Sequence, residues 1–435
     1  MAPQPFHLSP QVHASSTLAL NERINALMAQ GAQVYHMGFG ESRFPVHPKI
    51  LQAFHEHATA RSYLPVAGLP ELRQAVAAYY QREFGLAVED SQVIVGVGSK
   101  SLLFAAIQVL QGDLLLPSPS WVSYEPQARL SGKAVTWIPT RPANNYCLTP
   151  DELRRAVAKA RAGGQSPRIL VLNTPHNPTG VMYSPALLAE LAGVARAERL
   201  AVISDEIYAQ TAYGNVPHTS VARFYPEGTV VTGGLSKHLS LGGWRLGVAV
   251  LPPGPAGAQL MAAMTAVAST IWTTAAAPVQ HAAVVAYGDD PDVVGYVKTC
   301  AAIHGGVTRY LYQALREVGL PCPEPSGGFY LYPSFDPWRE VLRQRHGVTT
   351  SDELAAFLLD EEYIATLPGT SFGADPVELS LRLSTSYLYA LNDTDAESLL
   401  AIYQQSANTV EFLQKACPLV FEAGEKIQAL VKSLA

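Results

Sequence analysis

A single lysine, Lys237, stands in the run from Gly233 to Gly247 among glycines, small hydroxyl residues and apolar residues, with Arg245 following in the same run. Just upstream, Gly228 to Thr232 reads as a short buried strand, because β-branched residues bounded by glycines favour that state. The lysine therefore falls past a strand end, where α/β proteins gather their chemistry. A charged amine in apolar company is costly. Desolvation lowers its pKa and frees it as a nucleophile able to form an imine. By itself the run equally fits a loop lysine beside a strand.

Other residues of chemical interest lie at comparable places. Asn177 belongs to a rigid turn, Pro175 to Gly180, after the strand 168–173. Asp205 ends the apolar run from Leu200, and a carboxylate there needs a partner, either a bound group or a helix N-terminus it caps. Gly98, Ser99 and Lys100 open a helix after the strand 93–97, and free backbone N–H groups at a helix start form a phosphate site. Arg382 is centred in the strand 379–384, on one face with Ser380 and Ser384. Its planar fork suits a carboxylate, from a ligand or from within the chain.

Taken in order, Asn173 to Gly180, Ser204 to Tyr208, Ser236-Lys237 and Trp244-Arg245 resemble the signature set of fold-type I, class I/II aminotransferases that depend on pyridoxal phosphate. The resemblance runs from about Val34 to Tyr387. It implies a lysine-bound pyridoxal 5'-phosphate at Lys237, with Asp205 on the pyridine nitrogen as an electron-sink partner. It places Asn177 and Tyr208 on the phenolic oxygen and the flat ring of Trp121 against the pyridine face. Gly98, Ser99, Lys100, Ser236 and Arg245 fall at the phosphate. Tyr63 matches a tyrosine that reaches the partner subunit's phosphate; the alternative is an ordinary loop tyrosine. Gly40 and Arg382 match the grip on the substrate carboxylate, with Asn177 beside them. Lys100 also matches a lysine that pairs with an acidic substrate side chain in one branch, against the alternative of a solvated lysine. The implied catalytic set is Lys237, Asp205 and Tyr208.

Two positions depart from the pattern. The family has Gly-Glu-Pro-Asp-Phe where this chain has Gly40-Glu41-Ser42-Arg43-Phe44, and it often has a phosphate-binding serine where this chain has Gly234.

The elements that must position these residues follow from periodicity. Strands alternate with helices from about 90 to 250, which argues for a mostly parallel sheet wrapped by helices. A helix is expected over 18–30, another from Pro255 to about Thr265, and a long one over 292–316. The expected fold is α/β: a large domain with a mostly parallel central sheet, plus a smaller α+β domain built from the N-terminal arm and the C-terminal part. The boundaries are 1–45 for the arm, 46–295 for the large domain that binds the cofactor, and 296–435 for the small domain. The tail beyond Ala396 reads as helices without an assigned role. Trp272 reads as a core or interface residue.

Composition narrows the classes. The 435 residues, 48% of them hydrophobic, suffice for a large core. A formal net charge of -6 gives no footprint for nucleic acid. Cys147, Cys300, Cys322 and Cys417 are scattered and form no CxxC, which suits a reduced, cytoplasmic protein without a structural metal. The N-terminus lacks the pattern of a secretory signal. From Leu246 to Gly288 no charged side chain occurs, but prolines and small polar residues argue against a membrane span.

The expected activity is transfer of an amino group from an amino acid to a 2-oxo acid in a ping-pong cycle, by a homodimer with shared sites. A lyase of the same fold, similar to aminocyclopropane-carboxylate synthase, is the first alternative. A regulatory module that binds the cofactor without catalysis is the second.

Overall fold

Runs of Val, Leu and Ile between turn residues become strands in the computed structural model, which describes residues 16–214, 217–390 and 393–434. In chain order they are β1 (Tyr35–His36), β2 (Val93–Gly96), β3 (Asp113–Ser118), β4 (Val135–Pro139), β5 (Pro167–Asn173) and β6 (Ala201–Asp205). Then follow β7 (Thr229–Gly234), β8 (Gly247–Val250), β9 (Tyr330–Leu331), β10 (Ile364–Ala365), β11 (Leu367–Pro368) and β12 (Leu381–Ser384).

Seven strands form one sheet in the order β2-β8-β7-β6-β5-β3-β4. Only β8 runs against its neighbours in this sheet. Both faces are covered, so the strands are apolar on both sides, and the two-residue period divides their side chains. Ile94, Leu114, Leu116, Ile169 and Ile203 enter the core cluster of one face. Leu115, Leu170, Leu172 and Val202 pack on the other.

This topology makes the site. Strands β2, β3, β5, β6 and β7 point the same way, so their C-terminal ends share one edge. From β3 the chain steps outward to β4; from β5 it steps the other way through β6 to β7. The crevice where the order reverses is the place for a ligand in such sheets.

A second core lies against the first. Helix Pro291–Glu317 joins them: Val293 and Val297 pack with the sheet-side cluster, whereas Cys300, Ile303, Val307 and Leu311 belong to the other. Met37 and Phe44 of the arm enter that second cluster, together with Leu381 and Leu383 of β12. β12 pairs antiparallel with β11 and β9, and β1 pairs parallel with β10. The tail forms helices Asp393–Gln405, Thr409–Ala416 and Pro418–Ser433. Phe412, Val420, Ile427 and Val431 bury there, so the tail completes a core.

Some element boundaries differ from the sequence reading. Near Phe329 the strand is confined to β9, because Gly328 adopts φ 71° and Gly327 lies so close to Pro175 that a Cβ would meet its ring carbon at 2.5 Å. Helix Gly254–Ile271 runs beyond Thr265, since alanines continue it until Thr273 turns left-handed at φ 64°. Trp272 packs half-buried against the sheet-side core, and its indole N–H has no partner. No helix among the described residues is long and apolar enough to cross a membrane. The four cysteines are free and buried.

Candidate active site

The crevice at the strand ends opens into a cavity of about 510 Å³. Five strands lead residues into it. Asn173 ends β5, Asp205 ends β6, and Lys237 follows the end of β7. Trp121 follows β3, and Ser99 begins the helix Ser99–Val109 after β2.

Lys237 is half-buried on the cavity floor, and its Nζ donates to the Gly40 carbonyl at 2.7 Å. Burial pushes its pKa down to about 8, against the opposing pull of the Glu41 carboxylate; the Arg382 charge lowers it further. At neutral pH on the order of a tenth of such amines are unprotonated, against roughly one in 2,500 for an ordinary lysine. The Nζ lies 5.6 Å from the Tyr208 ring centre and 5.9 Å from that of Phe329.

Asp205 is buried, yet its side-chain oxygens are well supplied. Oδ2 accepts from the Tyr124 hydroxyl at 2.7 Å, and Oδ1 accepts from Ile207 N–H at 3.3 Å and Thr232 Oγ1 at 3.4 Å. Burial still raises its pKa to about 6, outweighing those hydrogen bonds. A cation opposite it would reverse that direction.

Arg382 lies on the other wall, buried, with Tyr330 and Phe372 rings 5.0 and 5.2 Å from its guanidinium carbon. One Nη2–H donates to the Gly38 carbonyl, and Nη1 reaches Asn177 Oδ1 at 3.5 Å. Its Nε has no partner, and no carboxylate among the described residues forms an ion pair with it. Desolvation lowers its pKa. A buried guanidinium with spare donors facing a cavity is a receptor for a carboxylate. Between Arg382 and Lys237, Asn177 Nδ2 approaches the Tyr208 hydroxyl at 3.5 Å, and that hydroxyl bonds Tyr330 at 2.6 Å.

At the far end, the helix start and Arg245 form a cup. Gly98 precedes the helix with φ 83°, and a Cβ there would stand 2.5 Å from Arg245 Nη2. Arg245 is itself left-handed at φ 55°, with Nη1 donating to Gly242 O at 2.7 Å. Lys100 Nζ sits 4.9 Å from the Trp121 ring centre, and Trp121 meets Tyr124 edge-on. Gly40 and Ser236 also line the cavity. Tyr63 does not: it is 86% exposed, outside the cavity of its own chain.

Residues 32–396 match the family described as aminotransferase class I and II. The chain belongs to that family. It is 34% identical over 386 residues to aspartate aminotransferase of Geobacillus stearothermophilus, covering 86% of this chain and 93% of the relative. It is 32% identical to the aspartate/prephenate aminotransferase of Thermus thermophilus, over 84% and 92% of the two chains. The solved aspartate aminotransferase from Thermus thermophilus with maleate superposes with a TM-score of 0.79 at 29% identity, covering 91% of this chain and 98% of that one. The protein is an aminotransferase.

The aminotransferase cavity also contains residues that sequence reasoning had not assigned. Tyr124 supports Asp205, Asn173 accepts from Asn177 N–H at 2.7 Å, and Tyr330 bonds Tyr208. Glu41 lines the cavity and accepts from the Tyr387 hydroxyl at 2.6 Å. Asn173 and Glu41 stand within runs quoted above, four positions from Asn177 and one from Gly40, and Tyr124 lies three positions from Trp121. A carboxylate beside the matched Gly40 was the one readable signal. The Gly234 departure also has a cause. A Cβ at Gly234 would meet the Leu246 carbonyl at 2.8 Å, so no serine fits there without moving β8.

Proposed function

We propose that the aminotransferase uses pyridoxal 5'-phosphate in this cavity and takes an acidic amino acid as donor. The observation that carries the reading is the facing pair: a desolvated amine, Lys237, and a buried guanidinium without an acid partner, Arg382, in one cavity. The fit to the cofactor is supported at each end. The Gly98–Arg245 cradle is one that a Cβ would fill, and it joins a helix N-terminus to a cation, as a phosphate requires. The buried Asp205 carboxylate awaits a cation and would hold a protonated ring nitrogen. Asn177 and Tyr208 offer hydrogen bonds to the phenolic oxygen, and Trp121 offers a flat face. When bound, the cofactor supplies an electron sink for the charge left at the donor's Cα.

The protein's residues then divide the work. Lys237 supplies the amine to which the cofactor attaches. Once released, its Nζ takes the proton from the donor's Cα and gives it up again within the same half of the cycle, and in the second half the transfer runs in reverse onto the acceptor's Cα. Arg382 receives the donor α-carboxylate and orients the Cα–H bond toward Lys237, with the Gly40 backbone beside it. Tyr208 and Asn177 hold the phenolic oxygen. Gly98, Ser99, Ser236 and Arg245 hold the phosphate. Lys100, poised over Trp121 at the cavity wall, receives the donor's side-chain carboxylate. That substrate class is supported by relatives named for aspartate and by the dicarboxylate maleate named with the Thermus thermophilus structure.

We further propose the division at 1–45, 46–295 and 296–435, a homodimer in which Tyr63 reaches the partner's phosphate, and a cytoplasmic location. Exposure of Tyr63 and of Ile271, at the end of a charge-free helix, supports the dimer. The free cysteines suit a reducing compartment.

Near-ultraviolet and visible absorbance with added pyridoxal phosphate, followed by L-aspartate, tests the reading. A visible band of lysine-bound cofactor that bleaches with aspartate, and is missing in Lys237→Ala, is the expected result. A band that bleaches with neutral amino acids but not with aspartate or glutamate would remove the acidic donor. No band at all would remove the cofactor assignment.

A further inference from the structure

The arm after β1 carries the Gly40 carbonyl that accepts from Lys237, yet residues 37–47 hold no helix or strand of their own. A buried polar chain holds the arm instead. Phe44 N–H donates to Ser240 Oγ at 3.0 Å, and Ser240 Oγ lies 2.6 Å from Ser42 Oγ. Ser42 Oγ lies 3.0 Å from His304 Nε2, and His304 Nδ1 bonds the Tyr389 hydroxyl. Ser42, His304 and Tyr389 are all buried. The chain thus ties four segments together: the arm, the lysine loop, the helix Pro291–Glu317 and the stretch after β12.

Three features make this more than core satisfaction. Ser240 is three residues past Lys237 and stands at φ 58°, a conformation that needs support from its surroundings. Burial, with the Lys237 charge nearby, holds His304 down to about 3, so its ring is neutral, with one donor and one acceptor nitrogen. Phe44 N–H donates to Ser240, and from there a neutral ring joins Ser42 to Tyr389 through one donor and one acceptor nitrogen, in either tautomer. Finally, the central hydroxyl comes from Ser42, where the family pattern has proline, a residue with no group to make either bond. On its other side the arm rests on Tyr387, which Arg43 covers at 5.0 Å and which donates to Glu41.

We propose that this chain is a latch between the arm and the lysine loop, and that Ser42, Ser240 and His304 are positioning residues that keep the Gly40 carbonyl on Lys237 Nζ. The proposal rests on the reading of Lys237 as the reactive amine. Loss of the Ser240 hydroxyl removes both bonds between arm and loop, whereas loss of the Ser42 hydroxyl cuts the tie to His304 and leaves Phe44 N–H on Ser240; either loosens the arm over the amine, the first more.

The test uses the cofactor-free full chain. Lys237 is acetylated with acetic anhydride at about pH 10, where its own amine is predominantly free and the rate reports access. Peptide mass spectrometry reads Lys237 against the exposed Lys432. Ser240→Ala is expected to raise the Lys237 rate by about threefold or more and Ser42→Ala by a smaller factor, with the double variant below the product of the two, because the Ser42–Ser240 bond is lost in both. In the loaded protein, the pH midpoint of the visible band should move in the same direction in the two single variants, further in Ser240→Ala. Unchanged rates, or increases that multiply in full in the double variant, would overturn the latch. Labelling does not depend on cofactor, so it decides the latch even if no visible band forms. Circular dichroism checks folding; should Ser42→Ala fail to fold, Ser240→Ala, at a half-buried side chain, carries the same comparison.

Discussion

Two regions face each other across the cavity, and they are built differently. On one side, Asn173, Asp205 and Lys237 project from the ends of β5, β6 and β7, three parallel neighbours locked by regular pairing. On the other, Gly38 to Phe44 has no ladder of its own and is held by side chains from distant segments. The sheet edge places reactive groups at fixed spacing. The arm and β12 present a carboxylate receptor and a carbonyl, and they belong to the second core. Chemistry on the rigid side and substrate alignment on the tethered side is the division this contrast suggests.

Variants on each side can break it. Lys237→Ala removes the amine on the rigid side and is expected to lower kcat by about 10⁴-fold or more, since no other base stands at that place. Steady-state assay with aspartate and a 2-oxo acid measures it; a loss of only tenfold would mean the proton moves through another group. Arg382→Lys keeps a charge on the tethered side but removes the planar fork, and it should lower kcat/KM by about 10²-fold, mostly through KM. A loss confined to kcat would place Arg382 with the chemistry and dissolve the division.

The same contrast explains what could be read beforehand. The strand ends were legible because each needs only a local pattern: an apolar run, then a polar residue where the run stops. Asp205 was found that way, and the sheet followed from the same alternation; Asn177 and Lys237 lie past their strand ends, in the turns that carry the family resemblance. Arg382 was legible from period-two spacing within one strand. The arm was not. Glu41 meets Tyr387, and Ser42 meets His304, across several hundred residues of chain, and no spacing rule reports such pairs. Tyr330 was hidden for a related reason, since its role depends on the turn at Gly328.

Asp205 sharpens the comparison through pH. Its folded-state pKa is raised from 3.8 to about 6 by burial, so the ionised carboxylate weakens the cofactor-free fold. The stability present with the neutral acid, fully there below about pH 4, is lost as pH rises through about 6. Asp205→Asn should therefore stabilise the cofactor-free protein by about 2 kcal/mol at pH 7, with the gain vanishing near pH 4. Denaturant melts at the two pH values check this. In the loaded protein the gain should shrink or reverse, because the carboxylate then has its cation. Equal gains in both forms would separate Asp205 from the ring nitrogen.

The smallest effect concerns the glycines on which the rigid side stands. Gly234 pairs with Gly247, and Gly247 pairs with Gly96, so three adjacent strands carry glycine in one row. A Cβ at Gly247 would come within 2.2 Å of Ser99 N, the start of the helix that forms the cup. At Gly234 the nearest obstacle is the Leu246 carbonyl at 2.8 Å, a closer approach than a Cβ tolerates. Because that obstacle is backbone at the entry to a paired strand, with Gly247 Cα next at 3.2 Å, it cannot swing aside as a side chain would. Gly234→Ser should thus cost about 1–2 kcal/mol through displacement of β8. It should also weaken phosphate binding, although serine adds a hydroxyl nearby, because β8 leads back from Arg245. Tighter cofactor binding in this variant, measured by fluorescence titration, would show that the strand yields and that the rigid side is less rigid than its pairing implies.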